Sequence, residues 1–394
     1  MLRARRIRLI PTDEQKVLFW KSAGTARWAY NYFLSENEKQ YHEYLESGKT
    51  GKSYISGGEI RKHITNVLKK TTHTWLAEVG SNVVKQAVKD AERALQDFLK
   101  GKRGRPRYKS KRLDTPGFYV NYESMRRTDH GFRGEKIGIV KTAQPLPKLR
   151  KGEHYANPRI TFDGKHWLLS VGYPVESRAG QEELSGESIG VDLGIKELAV
   201  CSNGEVYKNI NKSRKVRKLK KRLKREQRRL SRKIEKNITG YRGNRVPVYA
   251  RPLSECGNIQ KQNDVVRQIH RKLRNIRTNH LHQTTTGIVK TKPSRIVMET
   301  LNVRGMMKNG HLAKAIGEQG FFEFKRQIAY KSEFYGIELV EADPFYPSSK
   351  CCSSCGNVKR DLKLSDRVYH CECCGLVIDR DFNASINLAN YQSA

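Results

Sequence analysis

The chain is short of acid. Against 77 Lys and Arg it sets only 40 Asp and Glu, a net charge of +37 over 394 residues. Self-repulsion of that size destabilises a compact fold unless a polyanion offsets it, so nucleic acid is the default partner. No run of 18 apolar residues occurs, which excludes a helical membrane span. A membrane-surface or ribosome-like basic protein is the bland alternative, and with nucleic acid as the partner no membrane partner is expected. The N-terminus, MLRARRIRLI, alternates basic and apolar residues and lacks the continuous apolar core of a secretory signal. It reads as a strand over residues 2–10 of a cytoplasmic protein. Nor are cysteines spread as disulfide partners: of eight, six fall between 351 and 374. That clustering argues for metal rather than disulfides, and leaves Cys201 and Cys256 as ordinary small apolar residues.

With 37% apolar residues the chain is globular but polar, and long enough for two to four domains. After the first strand, PTDEQ opens a helix with Thr12 as cap and Gln15 three residues on. Residues 13–100 read as mostly helical. In the helix from 81, Val84, Val88, Ala91, Leu95 and Phe98 recur at helical spacing, Ser81 caps and Gly101 stops. The basic loop KGKRGRPRYKSKR then leads into a β-rich part. There, alternating apolar runs flank Asp163-Gly164 as a hairpin, and the first strand joins to make a small barrel over 1–12 and 106–184.

From 188 the character changes. SIGVDLGIKELAV reads as a buried strand, a tight turn and a second strand. Residues 211–237 then carry 15 Lys and Arg in 27 positions, yet Val216, Leu219, Leu223, Leu230 and Ile234 keep a 3–4 apolar stripe. This is an amphipathic helix whose seam needs a partner, supplied by 262–289. Its polar face, with Arg217, Lys221, Arg225 and Arg228, suits a phosphate rail. His270, His280 and His282 read as RNA contacts or core residues rather than ligands. Further on come an apolar strand ending at Glu299, a helix from FFEFKRQ and the strand IELVEADP.

Next lie two knuckles: Cys352-x2-Cys355, fifteen residues, Cys371-x2-Cys374. Gly356 and Gly375 follow each pair, and glycine admits the positive φ that turns both sulfurs toward one ion. Four thiolates make a tetrahedral zinc site with no open position, hence a structural one. Cys351 and Cys373 are spare thiols, since any register that uses them spoils the spacing.

Three acids sit at unusual places. Asp192 lies inside the apolar strand IGVDLG, Glu299 ends IVMETL, and Asp381 opens the last helix in VIDRDFNASI. A strand-end hydrogen bond accounts for any one of them, but weakly for three on so basic a chain. If the three converge they need cations. Two Mg2+ ions about 3.5–4 Å apart would turn them into a phosphodiester-cleaving site.

Strand-Asp, later strand-Glu and terminal helix-Asp is the order of a RuvC-type, RNase H-like nuclease. With a four-cysteine finger before the last Asp, the chain resembles the TnpB family, transposon-encoded RNA-guided DNA nucleases related to compact type V CRISPR effectors. The motifs GVDLGIKELAV, VMETLNVRGMMKN, PSSKCCSSCG, YHCECCG and DRDFNASINL carry the resemblance, with weaker matches at ARWAYNYFL and GRPRYKSK. The resemblance implies a multidomain α+β fold. A β-barrel wedge domain spans 1–12 and 106–184, and a helical recognition domain 13–105. A RuvC-like domain spans 185–345 with a basic helical insertion at about 211–290. A zinc finger that binds target nucleic acid takes 346–376, and a last RuvC segment 377–394. It implies Asp192, Glu299 and Asp381 as the catalytic, Mg2+-binding triad, with Asp379 supporting the loop. It also implies a guide RNA from the transposon end, one protein per guide, and double-stranded target DNA cut beside a short flank. The setting would be a prokaryotic cytoplasm, associated with the nucleoid.

The flank reader would lie near the start of the helix at 81–99, where Asn82, Lys85 and Gln86 are suitable base-edge donors. Arg105, Arg107 and Lys109 of the basic loop join the candidate nucleic-acid contacts. Two rivals remain. A guided repressor would need a lost carboxylate, and the sequence shows none. A DNA-joining transposase would need a strand-transfer architecture, which the resemblance opposes.

Overall fold

The computed structural model describes residues 1–394 apart from 112, 182, 364–365 and 393–394. The chain divides into two compact units, Met1–Val175 and Glu176–Ala394.

The first unit runs β1 (Leu2–Ile10), α1 (Asp13–Glu46), α2 (Gly57–His63), α3 (Ser81–Leu99), β2 (Gly117–Tyr119), β3 (Arg126–Thr128), β4 (Gly131–Gly134), β5 (Gly138–Thr142), β6 (Ala156–Phe162) and β7 (Trp167–Pro174). Its antiparallel sheet has the order β2-β6-β7-β1-β5-β4-β3. β1 joins the two halves, pairing with β7 along Leu2–Arg8 and with β5 at Leu9–Ile10. Its alternation does this: Ile7 and Leu9 are buried while Arg3, Arg5, Arg6 and Arg8 are exposed. Phe118, Ile160 and Leu169 from one half share a single core with Phe132 and Val140 from the other and Phe19 of α1. The sheet is therefore folded over one core, as the barrel reading expects.

Thr12 and Gln15 form the expected capping box on α1, with Gln15 N donating to Thr12 Oγ1 at 3.3 Å and Thr12 N to Gln15 Oε1 at 3.1 Å. α3 buries Val84, Val88 and Ala91 against Tyr30, Phe33 and Leu34 of α1. Two expectations fail here. The chain enters α3 one residue early, so Gly80 is the cap and Ser81, already helical, makes no capping bond. Phe98, in the last turn, is exposed. The Asp163-Gly164 pair sits in a four-residue link, where Asp163 Oδ1 accepts from Lys165 N and His166 N.

The second unit runs β8 (Ser185–Leu193), β9 (Glu197–Cys201), β10 (Val206–Lys208), α4 (Arg214–Glu235), β11 (Ile238–Arg242), β12 (Val246–Tyr249), α5 (Gly257–Lys290), β13 (Pro293–Glu299), α6 (Val303–Met306), α7 (Ala313–Gln319), α8 (Phe321–Tyr335), β14 (Glu338–Ala342), β15 (Val368–His370), β16 (Val377–Asp379) and α9 (Arg380–Ala389). Five strands form a mixed sheet, β10-β9-β8-β13-β14. β8, β13 and β14 are parallel; β9 pairs antiparallel with β8, and β10 antiparallel with β9. This is the RNase H-like arrangement expected.

Strand periodicity gives the sheet two faces. Ile189, Val191, Ile296 and Met298 pack with Leu281, Ile288 and Val289 of α5 and Phe324 and Ile328 of α8. On the opposite face Val297 packs with Leu388 of α9. The basic helix α4 lays Val216, Leu219 and Leu223 against Ile269 and Leu273 of α5, as its stripe predicts. The β11–β12 hairpin between them was not foreseen, nor was Glu226, buried in the seam with Gln262 Nε2 donating to its Oε2 at 3.0 Å. Among the described residues no helix is long and apolar enough to cross a membrane.

Candidate active site

The carboxylate site forms at the C-terminal ends of β8 and β13, where the strand order reverses about β8. Open α/β sheets bind ligands at such switch points. Val191 pairs with Met298 in the parallel ladder, so Asp192 and Glu299 are the next residues along two neighbouring strands. Both lie on the α9 face, Asp192 in phase with Gly190 and Glu299 in phase with Val297.

Gly190 lets α9 come down onto that face. A Cβ there would meet Ser385 O at 1.9 Å, Ala389 N at 2.4 Å and Leu388 Cβ at 2.9 Å. With its later turns seated on Gly190, α9 brings its first turn, and Asp381, toward Asp192. Asp379 caps the helix: its Oδ1 accepts from Asp381 N at 2.9 Å and Phe382 N at 3.1 Å. The two aspartates of DRD thus divide the work, one holding the helix end and the other facing the strand acids. Sequence reasoning gave Asp379 a supporting place without finding the cap.

The electrostatics record the convergence. Asp192 is pushed well above the ordinary carboxylate range by burial, then by the charges of Glu299 and Asp381 and a hydrogen bond shared with Glu299. Arg380 opposes this weakly. Ser348 Oγ donates to Glu299 Oε1 at 2.9 Å. No sequence signal singled out Ser348. A cavity of about 280 Å³ adjoins Glu299, walled by Leu193, Met298, Leu301 and Phe322 with Arg304 and Lys325 at its edge.

The cysteine cluster assembles as its spacing requires. Sγ of Cys352 and Cys374 lie 3.6 Å apart, as do those of Cys355 and Cys371. All four sulfurs fall within 4.8 Å of one another. A tetrahedron with Zn–S bonds of about 2.3 Å has an edge of about 3.8 Å, whereas a disulfide needs about 2.05 Å. The geometry therefore fits one zinc ion. Gly356 and Gly375 take φ of 76° and 73°. Backbone N–H groups of Cys374 and then Cys373 hold the Cys371 thiol down to about 6, as a thiolate ligand needs. Cys351 and Cys373 stay outside the cluster, and Cys201 is a buried core residue.

The expected nucleic-acid contacts separate into two groups. Arg217, Lys221, Arg225 and Arg228 are exposed along α4, and Lys85 is exposed on α3. The others are engaged within the first unit. Asn82 donates to Glu135 at 3.0 Å and Gln86 to Asp90 at 2.9 Å. Arg105 pairs with Glu38 at 2.7 Å and Arg107 with Asp114 at 2.8 Å. Lys109 Nζ lies 3.7 Å from the Tyr30 ring centroid. Asp90 is also clamped by Arg159 through two bonds, at 2.7 and 2.9 Å. His270 is exposed, and His280 Nε2 lies 2.8 Å from Lys208 O.

Three family models match the chain. Residues 172–310 match one described as "Probable transposase", 321–388 a "Cas12f1-like, TNB domain" and 1–46 a "Helix-turn-helix domain". In the last case the matched segment is one strand followed by one 34-residue helix. Curated relatives span nearly the whole chain. A protein of Streptomyces pristinaespiralis named as an RNA-guided DNA endonuclease is 29% identical, over 98% of this chain and 88% of its own length. The similarly named InsQ of Escherichia coli is 26% identical, over 98% and 91%. The CRISPR-associated endodeoxyribonuclease Cas12f1 of Sulfoacidibacillus thermotolerans is 23% identical, over 92% and 87%. Among solved structures, the chain of a Cas12f1-sgRNA-target DNA complex aligns with a TM-score of 0.55 at 15% identity, over 96% of this chain and 83% of that one. The sheet, the acids and the thiolate knuckles agree with these matches: along nearly its whole length the chain is similar to proteins named as RNA-guided DNA endonucleases.

Proposed function

We propose that this protein is an RNA-guided DNA endonuclease of a transposon, cutting double-stranded DNA beside a short flanking motif. The observation that carries the reading is the mutual repulsion at Asp192. A buried carboxylate faces two more, with Arg380 opposing them. Such a cluster is stable at neutral pH when cations neutralise it. Asp192, Glu299 and Asp381 would hold two Mg2+ ions. Such ions, when bound, activate a water for in-line attack and stabilise the leaving oxygen. The chain's own part is positioning: parallel neighbours set Asp192 beside Glu299, Ser348 orients Glu299, and the Asp379 cap fixes the turn that carries Asp381. The relatives named as RNA-guided DNA endonucleases support the substrate and the guide.

The exposed cations of α4 would run along the guide RNA, and the thiolate finger, bearing one structural zinc, would touch target nucleic acid. A wedge domain (1–12 and 106–184), a helical recognition domain (13–105) and the nuclease domain would share these tasks, with one protein per guide in a prokaryotic cytoplasm. Asn82, Gln86, Arg105, Arg107 and Lys109 would each exchange an internal partner for nucleic acid, so Lys85 is the readiest flank reader.

The test is a supercoiled target plasmid given to the protein purified with its locus RNA and Mg2+. Wild type should linearise it, and Asp192→Ala, Glu299→Gln and Asp381→Asn should bind without cutting. Binding without cutting by all four proteins would make the chain a guided repressor and sink the nuclease reading.

A further inference from the structure

Two asparagines one helical turn apart tie α9 to the thiolate knuckle. Asn383 Nδ2 donates to Cys351 O at 2.7 Å, and its Oδ1 accepts from Ser353 N at 3.0 Å. Asn387 Nδ2 donates to the same Cys351 O and to Ser348 O, each at 2.7 Å. Both residues are buried, at 0% and 5% exposure, beside the buried Ala384 and Leu388 of the same helix. A buried amide costs stability unless its bonds are made. These amide hydrogen bonds all reach segment 348–353, so the two side chains serve that tie.

The segment they grip, 348–353, reaches three places. Cys352 is a ligand of the thiolate cluster. The carbonyls of 348 and 351 hold the helix that bears Asp381. The Ser348 hydroxyl, itself buried, holds Glu299. Cys351 belongs here for its carbonyl, both lone pairs of which are taken, and not for its sulfur.

We propose that segment 348–353 is a strut through which the zinc knuckle sets the spacing of Glu299 and Asp381. Ser348, Asn383 and Asn387 are positioning residues for the cleavage site. This rests on the carboxylates being that site. Zinc loading then has a second consequence beyond holding the finger: it fixes the geometry in which the acids bind their cations. Residues that orient metal-binding side chains typically contribute 10–100-fold in metal affinity or activity.

The test uses the guide-RNA complex of Ser348→Ala, Ser348→Thr, Asn387→Leu, Cys355→Ser and Glu299→Gln. Three quantities are read: zinc per protein, Mn2+ bound per complex from the EPR signal of the free ion, and the Mg2+ concentration giving half-maximal cleavage. Ser348→Ala should keep its zinc, bind Mn2+ at least about 10-fold more weakly and need correspondingly more Mg2+. Threonine, which restores the hydroxyl, should recover most of the loss. Cys355→Ser, without zinc, should show the same weakened Mn2+ binding. Asn387→Leu reports on the helix tie, and Ser348→Ala, which removes a single oxygen, stands if the leucine variant fails to fold. Wild-type Mn2+ and Mg2+ dependence in Ser348→Ala overturns the strut while Glu299→Gln is inactive. If Glu299→Gln cuts normally, the cleavage-site reading itself has failed.

Discussion

Gly190→Ala removes nothing and adds one methyl group, yet it should disable the site. The added carbon would stand 1.9 Å from Ser385 O and 2.4 Å from Ala389 N, both backbone atoms of α9. Ordinary contact is about 3.4 Å or more, so the helix must withdraw by about 1.5 Å or the strand must bend. Overpacking of this kind costs about 1–3 kcal/mol, which lowers the melting temperature without unfolding a unit of this size. The larger effect is on chemistry. Asp381 rides on the displaced helix, and a misplacement of about 1 Å can cost about 100-fold in rate. Plasmid cleavage under single-turnover conditions should therefore slow at least about 100-fold, while RNA content and target binding measured by filter retention stay near wild type. A Gly190→Ala protein that melts and cuts like wild type would refute the close seating of α9 on β8.

Cys355→Ser should release zinc, measured by atomic absorption, and lower the melting temperature, whereas Cys351→Ala should keep its zinc because its sulfur lies outside the cluster. Replacing Arg217, Lys221 and Arg228 with Gln should weaken RNA binding and reduce the slope of log affinity against log salt by about 2, at about 0.7 per phosphate contact on single strands. An unchanged slope would remove α4 from the RNA path. Burial pushes Asp90 up, but the bonds from Arg159 and Gln86 outweigh it and hold the acid below its usual range. A carboxylate lowered in the fold stabilises above its unfolded value and loses that contribution as pH falls through its folded one. The melting temperature of wild type should thus fall below about pH 4 in excess of that of Asp90→Asn, which should lose about 2 kcal/mol at neutral pH.

Much of the site was legible because its signals are local. An acid inside an apolar strand, two glycine-followed Cys-x2-Cys pairs and a helix opening on Asp each announce themselves within a few residues. The α4 stripe likewise demanded a partner helix and found α5. What escaped depends on contacts distant in sequence. Ser348 matters because Glu299, 49 residues away, accepts its hydroxyl. Asn383 and Asn387 had a faint signal, two amides one turn apart on an apolar face, but their acceptors lie more than 30 residues back. The pairings of the basic loop escaped for the same reason. Its cations look free in sequence, while Glu38, Asp114 and the Tyr30 ring wait for them in the fold. Ser81 shows the ordinary one-residue slip of helix ends.

The most direct measurement is cleavage of a plasmid library with randomised flanks, using protein copurified with its locus RNA, in Mg2+ and in EDTA, with Asp192→Ala alongside. The account predicts linear DNA enriched in one flank, present only with wild type and Mg2+. Equal cutting by Asp192→Ala, or cutting that survives EDTA, would contradict it.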